Sequence, residues 1–327
     1  MSTPLLEIKD LHVYFKVYEG ILKVLSGVDF RVEKKKKVGL IGETGCGKTT
    51  TMKAIMRILP ALSARIPKGK ILFEGKDILE MNSRDLQKVR RRNISIVFQD
   101  PTAALNPVFK VGEQLADVIK YSRKEGGTSL SEKEIKAEAV RLLKEVALPD
   151  PERIMENYPV QLSGGMRQRI CIAMALASAN DLLIADEPGT SLDVTIEDQI
   201  LRLLKRLVEE RDTSIVLISH ALGAVRGLVD RVYVMYAGNM VEVSDTEDLF
   251  SDPLHPYARG LLRAVPKLTG GGIAEGIRGR IPDYLNPPEG CRFFPRCDYA
   301  MPICEKNQPP FFNHGNKHEV ACFLYQR

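Results

Sequence analysis

The sequence predicts an α/β fold: a mostly parallel sheet with an antiparallel β-subdomain at the N-terminus, a helical insertion, and a loop-rich, cysteine-containing C-terminal extension. Three observations predict it. After residue 163, short apolar runs alternate with helix-length segments, the order that builds a parallel sheet with crossover helices. A glycine-rich turn at 42–49 joins a short apolar run to a segment of helical spacing. Beyond 253, periodicity gives way to Pro, Gly and four clustered cysteines. A chain of 327 residues suits two domains, or one enlarged domain with an appendage. With 44% hydrophobic and 27% charged residues the composition is that of a folded globular protein, which excludes disordered, collagenous and coiled-coil classes.

Each element follows in order. Residues 5–13 and 24–32 alternate apolar and polar side chains, punctuated by Gly20 and Gly27, and read as strands of a half-exposed antiparallel sheet. The lysine run at 34–37 reads as a solvated hairpin turn. Residues 38–41 form a short buried strand, and 48–59 a helix closed by Pro60. From 99 to 162 the pattern is helical and irregular, with a polar linker at 122–131. There follow a helix to 179, a strand at 182–185, a helix at 196–210, and strands at 214–218, 232–235 and 240–243. The expected organisation is a core of 1–98 and 163–250, a helical subdomain of 99–162, and an extension of 251–327.

Charge and hydropathy exclude several classes. Lys and Arg exceed Asp and Glu by 47 to 42, a net +5 too mild to argue for nucleic acid without a localised patch, so no nucleic-acid partner is expected. The longest apolar run, 170–179, falls short of the ~18–20 residues of a membrane-spanning helix. The start, MSTPLLEIKD, has neither a basic n-region nor an apolar h-region, so a cytoplasmic protein is expected.

The chemistry begins with GETGCGKT, residues 42–49, placed between strand and helix. In this pattern Gly42, Glu43, Thr44, Gly45, Cys46 and Gly47 turn backbone N–H groups around phosphates. Lys48 reaches the β- and γ-phosphates and the Thr49 hydroxyl ligates Mg²⁺, with Thr50 completing the helix start. The apolar run LLIADE at 182–187 then delivers Asp186 to the hydration shell of the metal and sets Glu187 to polarise an attacking water. In LSGGMRQR, 162–169, Ser163, Gly164 and Gly165 open a helix whose N-terminus can accept an anion, although a plain N-cap has the same residues. Cys46 admits two readings: a thiolate favoured by Lys48 and the helix N-terminus, or a small residue in place of Ser. Cys171, in an Ala-rich helix, reads as a buried small hydrophobe.

Taken together, the octet, the glycine-rich loop before it and the Asp-Glu pair after it resemble the signature set of ABC ATPases. The resemblance implies further roles. Gln99 in VFQD resembles the Q-loop, which senses Mg²⁺ alongside Thr49 and Asp186. Ser191, Leu192 and Asp193 resemble the D-loop, and His220 the switch histidine that holds the γ-phosphate. Phe15 stands where the family stacks an aromatic on adenine, with Tyr14 and Tyr18 as competitors. Catalysis would rest on Glu187, His220 and Lys48, and ATP would lie between this P-loop and the signature of a second cassette. Three departures are Ala221 after the switch histidine, Gly189 in place of a common Thr, and the lysine turn.

The C-terminal third narrows the resemblance. DPLHPYARGLLRAVP, GCRFFPRC and QDPTAALNP are similar to segments of the ATPase subunits of oligopeptide and dipeptide importers. The implied partners are a second ABC ATPase subunit, a heterodimer preferred over a homodimer, two transmembrane permease subunits, and an extracytoplasmic substrate-binding protein. The implied location is the cytoplasmic face of the membrane, as a peripheral subunit. Cys291, Cys297, Cys304 and Cys322 are separated by 5, 6 and 17 residues. They lack the short knuckles of structural zinc sites, and by spacing alone they suit zinc or an iron–sulfur cluster equally. The resemblance favours a 4Fe-4S cluster, with Zn²⁺ as the alternative. A different class of function, a soluble ABC-type ATPase of repair or translation with an iron–sulfur sensor, is disfavoured. Only about 115 residues separate Lys48 from Ser163, without sustained heptads, and the chain holds a single P-loop and a single signature.

Overall fold

The computed structural model describes residues 3–123, 130–178, 181–190, 192–264, 276–315 and 317–326. The chain divides into two compact units, Met1–Glu80 with Leu217–Arg327, and Met81–Val216. Ser191, residue 179 and the Gly-rich stretch 270–272 lie outside the described residues.

The first unit begins with strands β1 (Leu6–Val17) and β2 (Gly20–Val32), both longer than the sequence alternation suggests. Leu6, Ile8, Leu11 and Val13 of β1 and Leu25, Val28, Phe30 and Val32 of β2 turn inward, a period of two that a register shift lengthens to three at Ile8–Leu11 and at Leu25–Val28. The lysine turn is not a hairpin: β3 (Lys37–Ile41) pairs with a different sheet from β2. The turn closes through Lys36 N–H donating to Glu33 O, with Lys35 at φ 61°. Helix α1 (Lys48–Ile55) stops four residues before Leu59. Arg57 takes a left-handed φ of 51°, and Ile58 N–H returns to Lys53 O, a C-terminal cap that ends the helix ahead of Pro60. Strands β4 (Ala64–Phe73) and β5 (Lys76–Asp77), which the sequence pattern did not reveal, complete an antiparallel sheet of order β2-β1-β4-β5.

The second unit contains α2 (Ser83–Arg92), β6 (Ile94–Val97), α3 (Pro101–Ala104), α4 (Val111–Arg123), α5 (Glu132–Glu145), α6 (Pro151–Glu156), α7 (Gly164–Ser178), β7 (Leu182–Asp186) and α8 (Val194–Glu210). β6 and β7 pair in parallel, and all five residues of β7 are buried. Helices α4, α5 and α7 present Leu115 and Ile119, Ala139 and Leu142, and Ile170 and Ala173 to a common apolar interior. Ser131 and Glu134 form a capping box that starts α5 directly after the polar linker.

The chain passes back to the first unit along β8 (Ser214–Ile218). There follow α9 (Leu222–Leu228), β9 (Arg231–Tyr236), β10 (Asn239–Asp245), α10 (Thr246–Ser251), α11 (Pro256–Arg263), α12 (Pro302–Lys306), β11 (Phe312–Asn313) and β12 (Glu319–Val320). β9 pairs with β3 in parallel, as expected, but the order β11-β12-β10-β9 is antiparallel throughout. A two-residue turn, Ala237 at φ 44° and Gly238 at φ 81°, joins β9 to β10 and permits only a hairpin. A buried carboxylate is one of the ties on the loop-rich extension. Glu242 of β10, fully buried, accepts hydrogen bonds from Leu254 N–H at 2.9 Å and His255 N–H at 2.7 Å, and pairs with His318 Nε2 at 2.7 Å.

Candidate nucleotide site and cysteine cavity

In the first unit, β3 runs directly into the glycine-rich loop, and α1 begins at Lys48 with Gly47 as its N-cap. Gly47 sits at φ 111°, and a Cβ there would lie 2.7 Å from Leu25, so both conformation and space require glycine. The Lys48 side chain is buried, and its ammonium donates to Gly42 O at 2.7 Å and Glu43 O at 3.0 Å. Thr49 and Thr50 are half-buried on the first turn of α1. Thr44 and Gly45 are exposed at the tip of the loop.

Cys46 is wholly buried. Burial pushes its thiol up to about 11, against the opposing pull of Lys48. Of the two readings of Cys46, burial supports the small residue in place of Ser: desolvation outweighs the nearby cation. Burial likewise pushes Cys171 up to about 12, in keeping with a buried hydrophobe. His220 lies exposed just beyond β8, after Ser219, whose hydroxyl accepts from Ala221 N–H at 2.9 Å. Phe15 and Tyr14 are half-buried on β1, whereas Tyr18 is fully exposed in the turn to β2.

Sequence reasoning missed what holds the loop. Arg296, from the extension, forms a bidentate pair with Glu43 at 2.7 and 3.1 Å. The Tyr257 hydroxyl accepts from Glu43 N–H at 2.7 Å, and the Tyr284 hydroxyl donates to Gly45 O at 2.7 Å. Burial pulls Arg296 down, but the Glu43 carboxylate and the Tyr236 hydroxyl outweigh it, so the net shift is upward. No signal in the sequence marks these contacts, because the partners are more than two hundred residues apart.

In the second unit, β7 ends at Asp186, buried, and the chain turns at Glu187 with φ 47°. A left-handed Glu is an uncommon conformation of the kind that collects at functional sites. Its carboxylate accepts from Gln99 Nε2 at 2.9 Å and from the Thr190 hydroxyl at 3.3 Å. The Q-loop residue and the candidate base, 88 positions apart, are thus in direct contact.

Ser163 caps α7 by accepting from Met166 N–H at 3.3 Å. The two signature glycines answer a packing need as well. A Cβ on Gly164 would lie 3.0 Å from Leu192, and one on Gly165 2.8 Å from Ile196, on either side of exposed Asp193. Gly189 has a reason too: a Cβ there would lie 2.5 Å from Glu197, leaving no room for the Thr common in the family.

The four C-terminal cysteines line one small cavity together with Phe293, Phe294 and other mainly apolar side chains. Burial pushes Cys291 and Cys322 up to about 11, and raises Cys297 as well. Among the described residues, no three or more His, Cys, Asp or Glu side chains converge as a single metal ion would require. The sulfurs thus face a shared space without closing on one point.

Comparison with known proteins accords with this geometry. Residues 25–190 match the ABC transporter family, and residues 241–304 match the C-terminal region of oligopeptide/dipeptide transporters. The oligopeptide transport ATP-binding protein OppD of Bacillus subtilis is 45% identical, over 98% of this chain and 89% of its own. The dipeptide transport ATP-binding protein DppD of the same organism is 43% identical, over 98% and 94%. A dimeric ATP-binding cassette solved in a post-hydrolysis state with ADP and Pi superposes with a TM-score of 0.65 at 26% identity, over 74% of this chain and 98% of that one. By these matches the chain belongs to the ABC transporter ATP-binding family, with the C-terminal region of its oligopeptide/dipeptide branch.

Proposed function

We propose that the chain powers import of di- or oligopeptides, hydrolysing ATP held between its own P-loop and the signature of a second cassette. The observation that carries the reading is the buried Lys48 ammonium resting on the carbonyls of its own loop, a cation held where a phosphate would replace those oxygens. The loop residues 42–47, with Lys48, Thr49 and Thr50, bind the triphosphate, and Phe15 stacks on the base. Mg²⁺, when bound, neutralises developing charge on the phosphates; Thr49, Asp186 and Gln99 are the residues that would hold it. Glu187 takes the proton of the attacking water, oriented by its hydrogen bond from Gln99. His220 holds the γ-phosphate. Ser163, Gly164 and Gly165 meet the nucleotide of the partner cassette, with Asp193 at the same interface. The dimeric, ADP-bound relative supports this arrangement.

The names of the relatives, ATP-binding proteins of oligopeptide and dipeptide transport, support the peptide cargo and a transporter with permease and substrate-binding partners. The proposed assembly holds two permease subunits, a substrate-binding protein and a second ATPase, a heterodimer being preferred. Among the described residues no helix is long and apolar enough to cross a membrane. The importer reading carries with it a peripheral place at the cytoplasmic face. For Cys291, Cys297, Cys304 and Cys322 the proposal is a 4Fe-4S cluster, with Zn²⁺ as the alternative; that all four line one small cavity is what supports a shared group. When bound, such a cluster staples a segment that holds little regular structure.

The test is a pull-down from native membranes with tagged Glu187→Gln chain and ATP, with iron and acid-labile sulfide assayed on anaerobically purified protein. Two multi-spanning proteins, a second cassette and a binding protein that releases peptides are expected. Retention of only soluble or nucleic-acid-associated proteins would overturn the importer reading, and stoichiometric zinc without sulfide would overturn the cluster.

A further inference from the structure

The P-loop must hold several N–H groups in one orientation, and a glycine-rich loop does not do so unaided. Its ordering entropy is a cost that any preformed contact reduces before nucleotide arrives. In this chain the contacts come from the C-terminal extension. All three polar parts of Glu43 are engaged: the N–H by the Tyr257 hydroxyl, the C=O by Lys48, and the carboxylate by Arg296. The Tyr284 hydroxyl takes Gly45 O, which fixes the plane of the 45–46 peptide.

The Arg296–Glu43 pair is no ordinary surface ion pair. The Arg296 side chain is 5% exposed and that of Glu43 28%. The guanidinium is further held by Arg278 O at 2.7 Å, Ile277 O at 3.1 Å and the Tyr236 hydroxyl at 3.3 Å. A bidentate, fork-matched pair with satisfied donors is the strong class of charge-assisted hydrogen bond. Its neighbours on the same short segment are anchored too. Phe293 packs 5.0 Å from the Tyr236 ring and 5.5 Å from that of Tyr257, and buried Arg292 donates to Ala237 O. Cys291 and Cys297 bracket these residues and face the cysteine cavity.

We infer that the segment 291–297 is a strap over the P-loop, and that Arg296 is a positioning residue for ATP, acting through Glu43. The inference rests on the ATP reading of the P-loop. The donors of Arg296 are taken by Glu43, Tyr236 and the carbonyls of Arg278 and Ile277, so it acts through the loop. It holds the loop in the form that binds, equally in ground and transition state, so its loss acts on affinity rather than on chemistry.

Arg296→Gln should raise KM for ATP about tenfold with kcat within about twofold of the wild type, the split expected when uniform binding is removed. Arg296→Lys, which keeps the charge but not the fork, should recover part of the loss. Glu43→Gln should raise KM similarly, and the double variant should be no worse than the weaker single one, because both remove the same contact. Unchanged ATP binding in an Arg296→Gln chain that melts like the wild type would overturn the inference. Should Arg296→Gln fail to fold, Arg296→Lys takes its place: with the charge kept and the fork lost, about a two- to threefold rise in KM is expected, and no rise overturns the strap. Lys48→Ala separates the two failures. If wild type binds ATP no better than Lys48→Ala, the ATP reading itself fails; if wild type binds and the strap variants bind equally, only the strap does.

Discussion

Glu187 is the residue on which hydrolysis is staked, and its setting is specific. It stands in the left-handed region beyond a fully buried strand, with Gln99 and Thr190 on its carboxylate. Glu187→Gln preserves the shape and the Gln99 contact but cannot take a proton. Turnover should fall by about 10²–10⁴-fold with ATP affinity retained, measured by phosphate release and nucleotide binding on the same preparation. Full turnover would remove Glu187 as the base. Cys46 illustrates the opposite case, a residue with a suggestive neighbour and no access. With its thiol wholly buried and raised to about 11, it should resist iodoacetamide at pH 8 in the folded, nucleotide-free protein. Peptide mapping that finds it labelled as fast as in urea would contradict the burial argument.

At the scale of elements, glycines and one carboxylate decide how pieces meet. Gly165→Ala would bring a methyl 2.8 Å from Ile196 Cγ2, an overpacking that costs about 1–3 kcal/mol. Stability to urea and turnover should both drop, while ATP affinity at this chain's own P-loop is unchanged. Loss of ATP affinity instead would mean that the glycines serve the P-loop directly. Glu242→Ala removes the acceptor shared by Leu254, His255 and His318, and should lower stability by about 3–5 kcal/mol. Denaturant unfolding checks it, and a loss under 1 kcal/mol would show that the extension is held elsewhere. The elements most legible in the sequence were the continuous buried runs β7 and β8 and the periodic helix α8. β4 was hidden because Pro67 and Gly69 interrupt its alternation, and β6 because a run of four residues, three of them apolar, fits either a strand or a helix. The end of α1 was set by the backbone of Arg57, whose left-handed φ has no residue signature.

Across the whole molecule, the nucleotide machinery was legible because its motifs are local: loop, signature and Asp-Glu pair each sit within a few consecutive residues. The contacts that hold the machinery were not, since Glu43 meets Arg296 and Gln99 meets Glu187 only in the folded chain. The cysteine quartet lies between these cases, its members visible and its geometry invisible. Because Cys297 follows Arg296 directly and would anchor the strap as a ligand of the proposed cluster, Cys297→Ser should weaken ATP binding severalfold, read by isothermal titration. Equal affinity in a folded Cys297→Ser chain would show that the strap needs no anchor there.

The matched ATP-binding region closes at residue 190 and the C-terminal region opens at 241, so by sequence the two are separate modules. The Arg296–Glu43 pair crosses that border. Exchange of the extension between related cassettes would therefore carry nucleotide affinity with it, and a recombinant chain would inherit part of its ATP response from a stretch that contains no nucleotide-binding motif.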